Sequence, residues 1–293
     1  MKIVLIGKNG QLGWKFQHTL PDLGEVISLG REELDVSDHL TIQKTLMELR
    51  PNLIINASAY TEVDLAETQI GLAAKINAIA PGIMAEAARQ INAGFIHYST
   101  DYVFDGRANV PYAENDPTNP LNVYGKSKLT GEENIKQAGD AYLIFRTSWV
   151  YSLRGNSFVN KVLEWSRKNK TLRIVSDQIG NPSWARMLAE TTCNALATGK
   201  ANLLDSIREK RGIYHLAGSG YTSRYEWAKQ ILANDPDRTG QLVQTIEPAL
   251  SEEFPTPATR PLFTALDCEK FAKTFNLRLP DWEETLQLAM AGS

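Results

Sequence analysis

Cysteine is scarce. Cys193 and Cys268 are the only two in 293 residues, and they form no C-x-x-C pair. That excludes a disulfide framework and a thiolate metal site, and a reducing compartment is expected. No apolar run approaches the roughly 18 residues of a membrane span. The opening run Ile3–Ile6 stops at Gly7, too short for the apolar core of a secretion signal, so a cytoplasmic chain without a membrane partner is expected. There is no basic excess either. The 31 basic residues stand against 34 acidic ones, interspersed along the chain, which argues against nucleic acid as a partner and for a small molecule. The four histidines, His18, His39, His97 and His215, include no ligand-spaced pair and read as structural or exposed.

What is present is alternation. Short apolar runs at Ile3–Ile6, Val26–Leu29, Leu53–Asn56, Phe95–Tyr98 and Tyr142–Phe145 read as strands buried on both faces. Helical stretches lie between them at about 11–21, 38–49, 70–92 and 124–138. The pattern predicts an α/β fold with a Rossmann-like, doubly wound parallel sheet. Residues 1–151 are expected to form the dinucleotide-binding domain, with parts of 183–233 packing on it. Residues 152–293 are expected to form mainly a smaller, interleaved substrate-binding lobe. That second half predicts strands at Leu172–Val175 and Ile213–Leu216, and helices near 156–169, 183–198, 223–233, 267–275 and 281–291. The proline-rich stretch Asn234–Pro261 reads as extended and irregular.

After the first strand comes Gly7-Lys8-Asn9-Gly10-Gln11-Leu12-Gly13. At a strand-to-helix turn this spacing suits a pyrophosphate at a helix N-terminus. Gly7 permits the tight turn, Gly10 permits close approach of the backbone, and Gly13 permits helix–strand contact, while Gln11 and Leu12 open the helix. The G-x-x-x-x-G-K-[ST] phosphate loop is absent. Where the second strand ends, an acidic residue would grip the ribose of NAD. Gly30-Arg31 stands there instead, and an arginine pairs with a 2′-phosphate. NADPH is therefore favoured, with NADH as the alternative. Asp35, beside Val36, is placed at the adenine edge.

The fourth strand ends in Tyr98-Ser99-Thr100-Asp101-Tyr102, at the carboxyl end where open α/β sheets place ligands. Tyr124 and Lys128, four apart on a helix, share one face. An ammonium about 5 Å from a phenol favours the phenolate by about two pKa units at an effective dielectric near 20. The pair is expected to be a tuned proton donor for a carbonyl becoming an alcohol.

Together these residues carry a resemblance. The chain resembles the extended short-chain dehydrogenase/reductases, and within them is similar to the dTDP-4-dehydrorhamnose reductases. The strings that carry it are the glycine loop, Asn56-Ala57-Ser58-Ala59-Tyr60-Thr61 with Val63-Asp64, and Ser99-Thr100-Asp101-Tyr102-Val103-Phe104-Asp105-Gly106. Pro120-Leu121-Asn122-Val123-Tyr124-Gly125-Lys126-Ser127-Lys128, Arg146-Thr147-Ser148-Trp149-Val150-Tyr151, Asp177-Gln178 and Arg260-Pro261 extend it over essentially the whole chain.

The resemblance implies that Tyr124 is the general acid, that Lys128 binds the nicotinamide ribose, and that Thr100 bonds the substrate carbonyl. It implies a dTDP-linked 4-keto sugar as substrate and hydride transfer to its C4. Ala59, Tyr60, Thr61 and Tyr98 would line the cofactor. Asp101, Trp149, Asn156, Gln178 and Arg260 would reach the sugar nucleotide. Some members hold Mg²⁺ at a dimer interface through two glutamates. Lys15 and Arg186 stand in those places and cannot ligate it, so no metal is expected and the chain is read as a monomer or homodimer. Two other readings share these residues: a nucleotide-sugar epimerase or dehydratase, and a non-catalytic regulatory subunit of methionine adenosyltransferase.

Overall fold

A computed structural model describes residues 1–292. Five strands follow the apolar runs: β1 (Lys2–Ile6), β2 (Glu25–Leu29), β3 (Leu53–Asn56), β4 (Gly94–Thr100) and β5 (Tyr142–Thr147). They pair parallel, and a sixth strand, Gly212–His215, joins the free side of β5. From one edge the order is Gly212–His215, β5, β4, β3, β1, β2. Chain direction across the sheet therefore reverses between β1 and β3, where a doubly wound sheet opens its ligand crevice.

The helices start where local chemistry lets them. α1 (Gln11–Thr19) follows the glycine loop. α2 (His39–Leu49) is capped by Asp38, whose carboxylate accepts from the Thr41 N–H. The Val123–Ala138 helix is capped by Asn122, which accepts from the Gly125 N–H at 2.8 Å. The helical run through 70–90 contains a π-helical turn at Lys75–Ile79. Such bulges mark positions where an inward side chain has another task.

Two apolar layers cover the sheet. One face carries α1 and the Ala185–Ala197 helix, the other α2 and the Ala80–Gln90 helix. Completely buried side chains such as Leu5, Phe16 and Phe145 each contribute about 1.5–3 kcal/mol. A third core, built on Tyr151, Trp184, Trp227 and Trp282, belongs to the second half. The halves interleave: residues 188–216 and 271–279 supply part of the first layer.

Two features depart from expectation. Asn234–Pro261 holds a strand, Thr245–Ala249, paired parallel with Thr171–Val175. Pro248 is tolerated because this two-stranded ribbon leaves an open edge, where a missing N–H costs little. A helix at Leu203–Glu209, unsignalled by the sequence pattern, packs on β4. Among the described residues no helix is long and apolar enough to cross a membrane.

Candidate active site

A groove of about 520 Å³ opens at the reversal point. Gly7 sits at φ +92°, and a Cβ there would lie 2.7 Å from the Ser58 nitrogen. A Cβ on Gly13 would lie 2.0 Å from the Gly7 carbonyl oxygen. Both positions demand glycine, one for its dihedral and one for contact. Gly13 thus brings helix and strand together rather than lining the groove. Gly10 caps α1 with no side chain, which leaves the first N–H groups of the helix without a capping partner. Gln11 Oε1 and Thr147 Oγ1, both on lining residues, are buried without hydrogen-bond partners. Free donors and orphaned polar atoms along one groove fit a dinucleotide with its pyrophosphate at the helix N-terminus.

Gly7, Gly10, Gln11, Leu12, Arg31, Asp35, Val36, Ala59, Tyr60, Thr61, Tyr98, Tyr124 and Lys128 all line this groove. Arg31 is 81% exposed, with Nε 3.6 Å from Asp35 Oδ2. The Ser37 N–H and hydroxyl, and then the Arg31 guanidinium, hold the Asp35 carboxyl below the usual range. Glu33 is occupied elsewhere, by Lys8 Nζ at 2.5 Å and the Gly30 N–H at 2.8 Å. Its charge is thus offset beside Arg31. Tyr98 presents its ring, while its hydroxyl is 2.5 Å from Thr192 Oγ1.

The π-helical turn explains itself here. Asn77 lies within it and clamps the backbone of Tyr60, accepting its N–H at 2.8 Å and donating to its carbonyl oxygen at 3.0 Å. Asn77 also donates to Ser127 Oγ, so one buried amide fixes the loop after β3 against the Tyr124 helix.

The Tyr124 helix presses on the turn after β4, since a Cβ on Gly125 would lie 2.2 Å from the Tyr102 carbonyl oxygen. Lys128 is buried, with Nζ 2.5 Å from the Tyr98 carbonyl oxygen and 3.1 Å from His97 Nε2. Burial brings Lys128 down to about 8, against a smaller upward pull from Glu132.

One expectation is corrected. Burial raises the Tyr124 phenol above its ordinary value; the Thr100 hydroxyl pulls the other way, and Asp101 adds to the rise. Lys128 shares the helix face with Tyr124 but is not among the groups that shift it.

The candidate substrate residues divide. Thr100 is buried at the end of β4, donating to Asp101 Oδ1 and facing Tyr124. Asp101 is buried too, its carboxylate accepting from Thr100, Ser148 and Thr264, and burial raises its pKa. It is therefore a braced group rather than an open contact. Trp149 has φ +44°, a strained conformation for a bulky residue. Its indole lies over Gly180 and stacks on Trp227 at 5.5 Å. Gln178 lines a separate apolar cavity with Phe158, Trp165 and Phe254. The other two lie differently. Asn156 is exposed in the loop before the Phe158–Ser166 helix and lines no described cavity, because the chain turns outward at Gly155. Arg260 forms a two-pronged ion pair with Asp64, 2.5 and 2.8 Å, and also bonds the Tyr102 side chain near Arg224, which ties the C-terminal segment to the Val63–Ala66 turn beside the end of β4.

Arg224 was missed. Its guanidinium lies 3.7 Å over the Trp149 ring and lines the Gln178 cavity. It feels the charges of Asp101 and Tyr102, and burial lowers it to about 10. No sequence signal marks it, since one arginine at a helix start is unremarkable until the fold sets it on Trp149. Lys15 and Arg186 flank the Trp184 ring, and Arg186 pairs with Glu190. Among the described residues, no cluster of three or more His, Cys, Asp or Glu could hold a metal.

A glycine-lined dinucleotide groove ending at a Tyr–Lys helix and a strand-end hydroxyl defines a short-chain dehydrogenase/reductase-type oxidoreductase. The comparisons narrow this. The RmlD substrate binding domain family matches residues 1–292. A dTDP-4-dehydrorhamnose reductase of Burkholderia thailandensis is 38% identical, covering 99% of this chain and 98% of that one. A solved dTDP-4-dehydrorhamnose reductase from Clostridium acetobutylicum superposes with TM-score 0.89 at 36% identity, covering 99% of each chain. Another, from Bacillus anthracis in complex with NADP, also gives TM-score 0.89 at 32% identity, covering 100% of this chain and 99% of that one. The chain belongs to the RmlD family of dTDP-4-dehydrorhamnose reductases.

Proposed function

We propose that this protein reduces the C4 keto group of dTDP-4-dehydro-L-rhamnose with NADPH, giving dTDP-L-rhamnose. The observation that carries this is that Tyr124, which pairs with Thr100, lines one groove together with Lys128 and Arg31. The full-length similarity to reductases supports it.

Bound NADPH would supply a hydride. The chain does the rest. The uncapped N–H groups of α1 hold the pyrophosphate, and Arg31 pairs with the 2′-phosphate. Lys128 directs an N–H toward the nicotinamide ribose. Thr100, which donates its one proton to Asp101 Oδ1 in this structure, would turn it to the C4 carbonyl oxygen when substrate is bound. Tyr124, kept protonated by its burial, gives its proton to the C4 oxygen as hydride arrives, and so acts as the general acid. Asp101 holds the Thr100 hydroxyl until substrate arrives.

The sugar nucleotide would extend past Trp149 toward Gln178. Arg224 supplies a cation for its diphosphate there. Arg260, held by Asp64 and Tyr102, closes the C-terminal segment over the site. In this reading residues 1–151 hold the dinucleotide and the remainder mainly the sugar nucleotide. The enzyme works in the cytoplasm as a monomer or homodimer without a shared divalent cation, since Lys15 and Arg186 occupy the corresponding surface.

The test is a panel of nucleotide-linked 4-keto sugars followed by NADPH absorbance. Stoichiometric consumption with the dTDP-linked 6-deoxy sugar is expected. Isomerisation without net NADPH loss would establish an epimerase instead.

A further inference from the structure

The strap between Ser251 and Arg260 joins the two halves of the site. At one end Phe254 walls the Gln178 cavity. Ser251 is fixed there by the Asp177 carboxylate and by the Gln178 amide at 3.0 Å. At the other end Ala258, Thr259 and Arg260 are held by the dinucleotide half of the molecule. Pro255 and Pro257 lie between and leave the chain few conformations, so a hold at Ala258 is felt at Phe254.

Most of that hold comes from one carboxylate. Asp64 Oδ1 accepts from the Ala258 N–H at 3.1 Å and from Arg260 Nη1 at 2.5 Å, and Oδ2 accepts from Arg260 Nη2 at 2.8 Å. The same guanidinium donates to the Ala258 carbonyl oxygen at 2.7 Å, which closes the turn on itself. One neutral bond adds to these, from the Asn122 amide to the Thr259 carbonyl oxygen at 2.8 Å. Arg260 also bonds Tyr102, and its charge opposes that of Arg224. The Asp64 carboxylate therefore does more than fill hydrogen bonds. It offsets a repulsion between two guanidiniums that would otherwise lift the strap.

Asp64 is itself placed from the cofactor side. It stands on the one-turn Val63–Ala66 helix, just after Ala59, Tyr60 and Thr61 of the groove wall. Asn77 clamps the Tyr60 backbone at both its N–H and its carbonyl oxygen. Three residues past Asp64, Glu67 accepts from the Val123 N–H at 2.8 Å, at the start of the Tyr124 helix. A dinucleotide resting against Tyr60 and Thr61 thus bears on the short turn that presents Asp64. Asp64 lies on the wall of neither the groove nor the Gln178 cavity.

We propose that Asp64 is a positioning residue that couples the two ligands. A dinucleotide in the groove sets the turn that carries Asp64, Asp64 latches the Ala258–Arg260 strap, and the latched strap completes the nucleotide-sugar cavity at Phe254. The proposal rests on the two-ligand reading of the site and adds the sign of their interaction. Both ligands favour the latched state, so each tightens the other, and by the same factor.

The experiment is hydrogen exchange of the full chain with NADP⁺ alone, read by mass spectrometry, followed by calorimetric titration of dTDP with and without saturating NADP⁺. Neither combination turns over. Peptides across 251–262 should gain protection when NADP⁺ binds, although no residue of that segment lines the groove. dTDP should bind roughly fivefold or more tightly in the presence of NADP⁺. Asp64→Asn keeps the shape of the side chain but turns an NH₂ toward the strap, so that two donors face each other. In that variant NADP⁺ should leave the strap unprotected, and the gain in dTDP affinity should fall below about twofold, while NADP⁺ alone binds as in wild type. Unchanged exchange across 251–262 in wild-type protein that has bound NADP⁺, or a full gain in the folded variant, overturns the proposal. If the variant does not fold, the wild-type exchange decides. Failure of NADP⁺ to bind at all is a separate result, which overturns the reductase reading and the coupling with it.

Discussion

Replacing Tyr124 with Phe takes away one oxygen and little else. The ring would keep its edge-to-face contact with Tyr102, at 5.9 Å between centroids, and the helix cap at Asn122 is untouched. The hydroxyl faces Thr100 and holds no backbone group, so its loss should change stability by about 1 kcal/mol or less. Catalysis should respond differently. Without its acid, the developing alkoxide at C4 must take a proton from water. General acid catalysis contributes roughly 10²–10⁴-fold. At about 1.36 kcal/mol for each tenfold, that is about 3–5 kcal/mol of barrier. The interaction strengthens only as the proton moves, so kcat and kcat/KM should fall together while KM changes little. Stopped-flow NADPH oxidation gives the rates, fluorescence titration gives cofactor affinity, and a thermal melt reports the fold. Turnover within a few-fold of wild type, in a variant that binds NADPH normally, would refute the assignment of Tyr124 as the acid.

Three other substitutions test separate parts of the site. Arg31→Ala should weaken NADPH by about 10- to 100-fold while NADH affinity stays nearly constant, because only NADPH carries the 2′-phosphate; equal losses in titrations with both would remove Arg31 from the site. Arg224→Ala should raise KM for the sugar nucleotide by about 10-fold or more and leave the NADPH dissociation constant unchanged. An unchanged KM would separate the Trp149 stack from substrate binding. Arg146→Met strips Glu132 of a buried partner at 2.7 Å and should cost about 3–5 kcal/mol in urea unfolding. Pairing it with Glu132→Leu should recover much of that, since no charge is then left buried alone.

Much of the fold was legible because its physics is local. Doubly buried parallel strands need uninterrupted apolar runs, and the central strands β1, β3, β4 and β5 stand where such runs occur, while the edge strand β2 is only partly buried. The glycine spacing is equally local, since Gly7 needs its dihedral and Gly13 its missing Cβ whatever happens elsewhere. The Leu203–Glu209 helix and the Thr245–Ala249 strand were not legible. The first is short and weakly patterned. The second contains Pro248, which is harmless only because the strand lies at an open edge.

The amino-acid order alone marked the strands, the glycine turn after β1 and the shared face of Tyr124 and Lys128, because each follows from contacts within a turn or two of chain. Only the tertiary structure decided the charge state of that face. The shift at Tyr124 depends on how deeply its helix sinks against β4, and the environment of Lys128 depends on His97 and Asn56 from two other strands. It likewise set Arg224 on Trp149, tied Arg260 to both Asp64 and Tyr102 and left Asn156 exposed. Desolvation and long-range pairing depend on which distant segments meet, and no local pattern in the chain encodes that meeting.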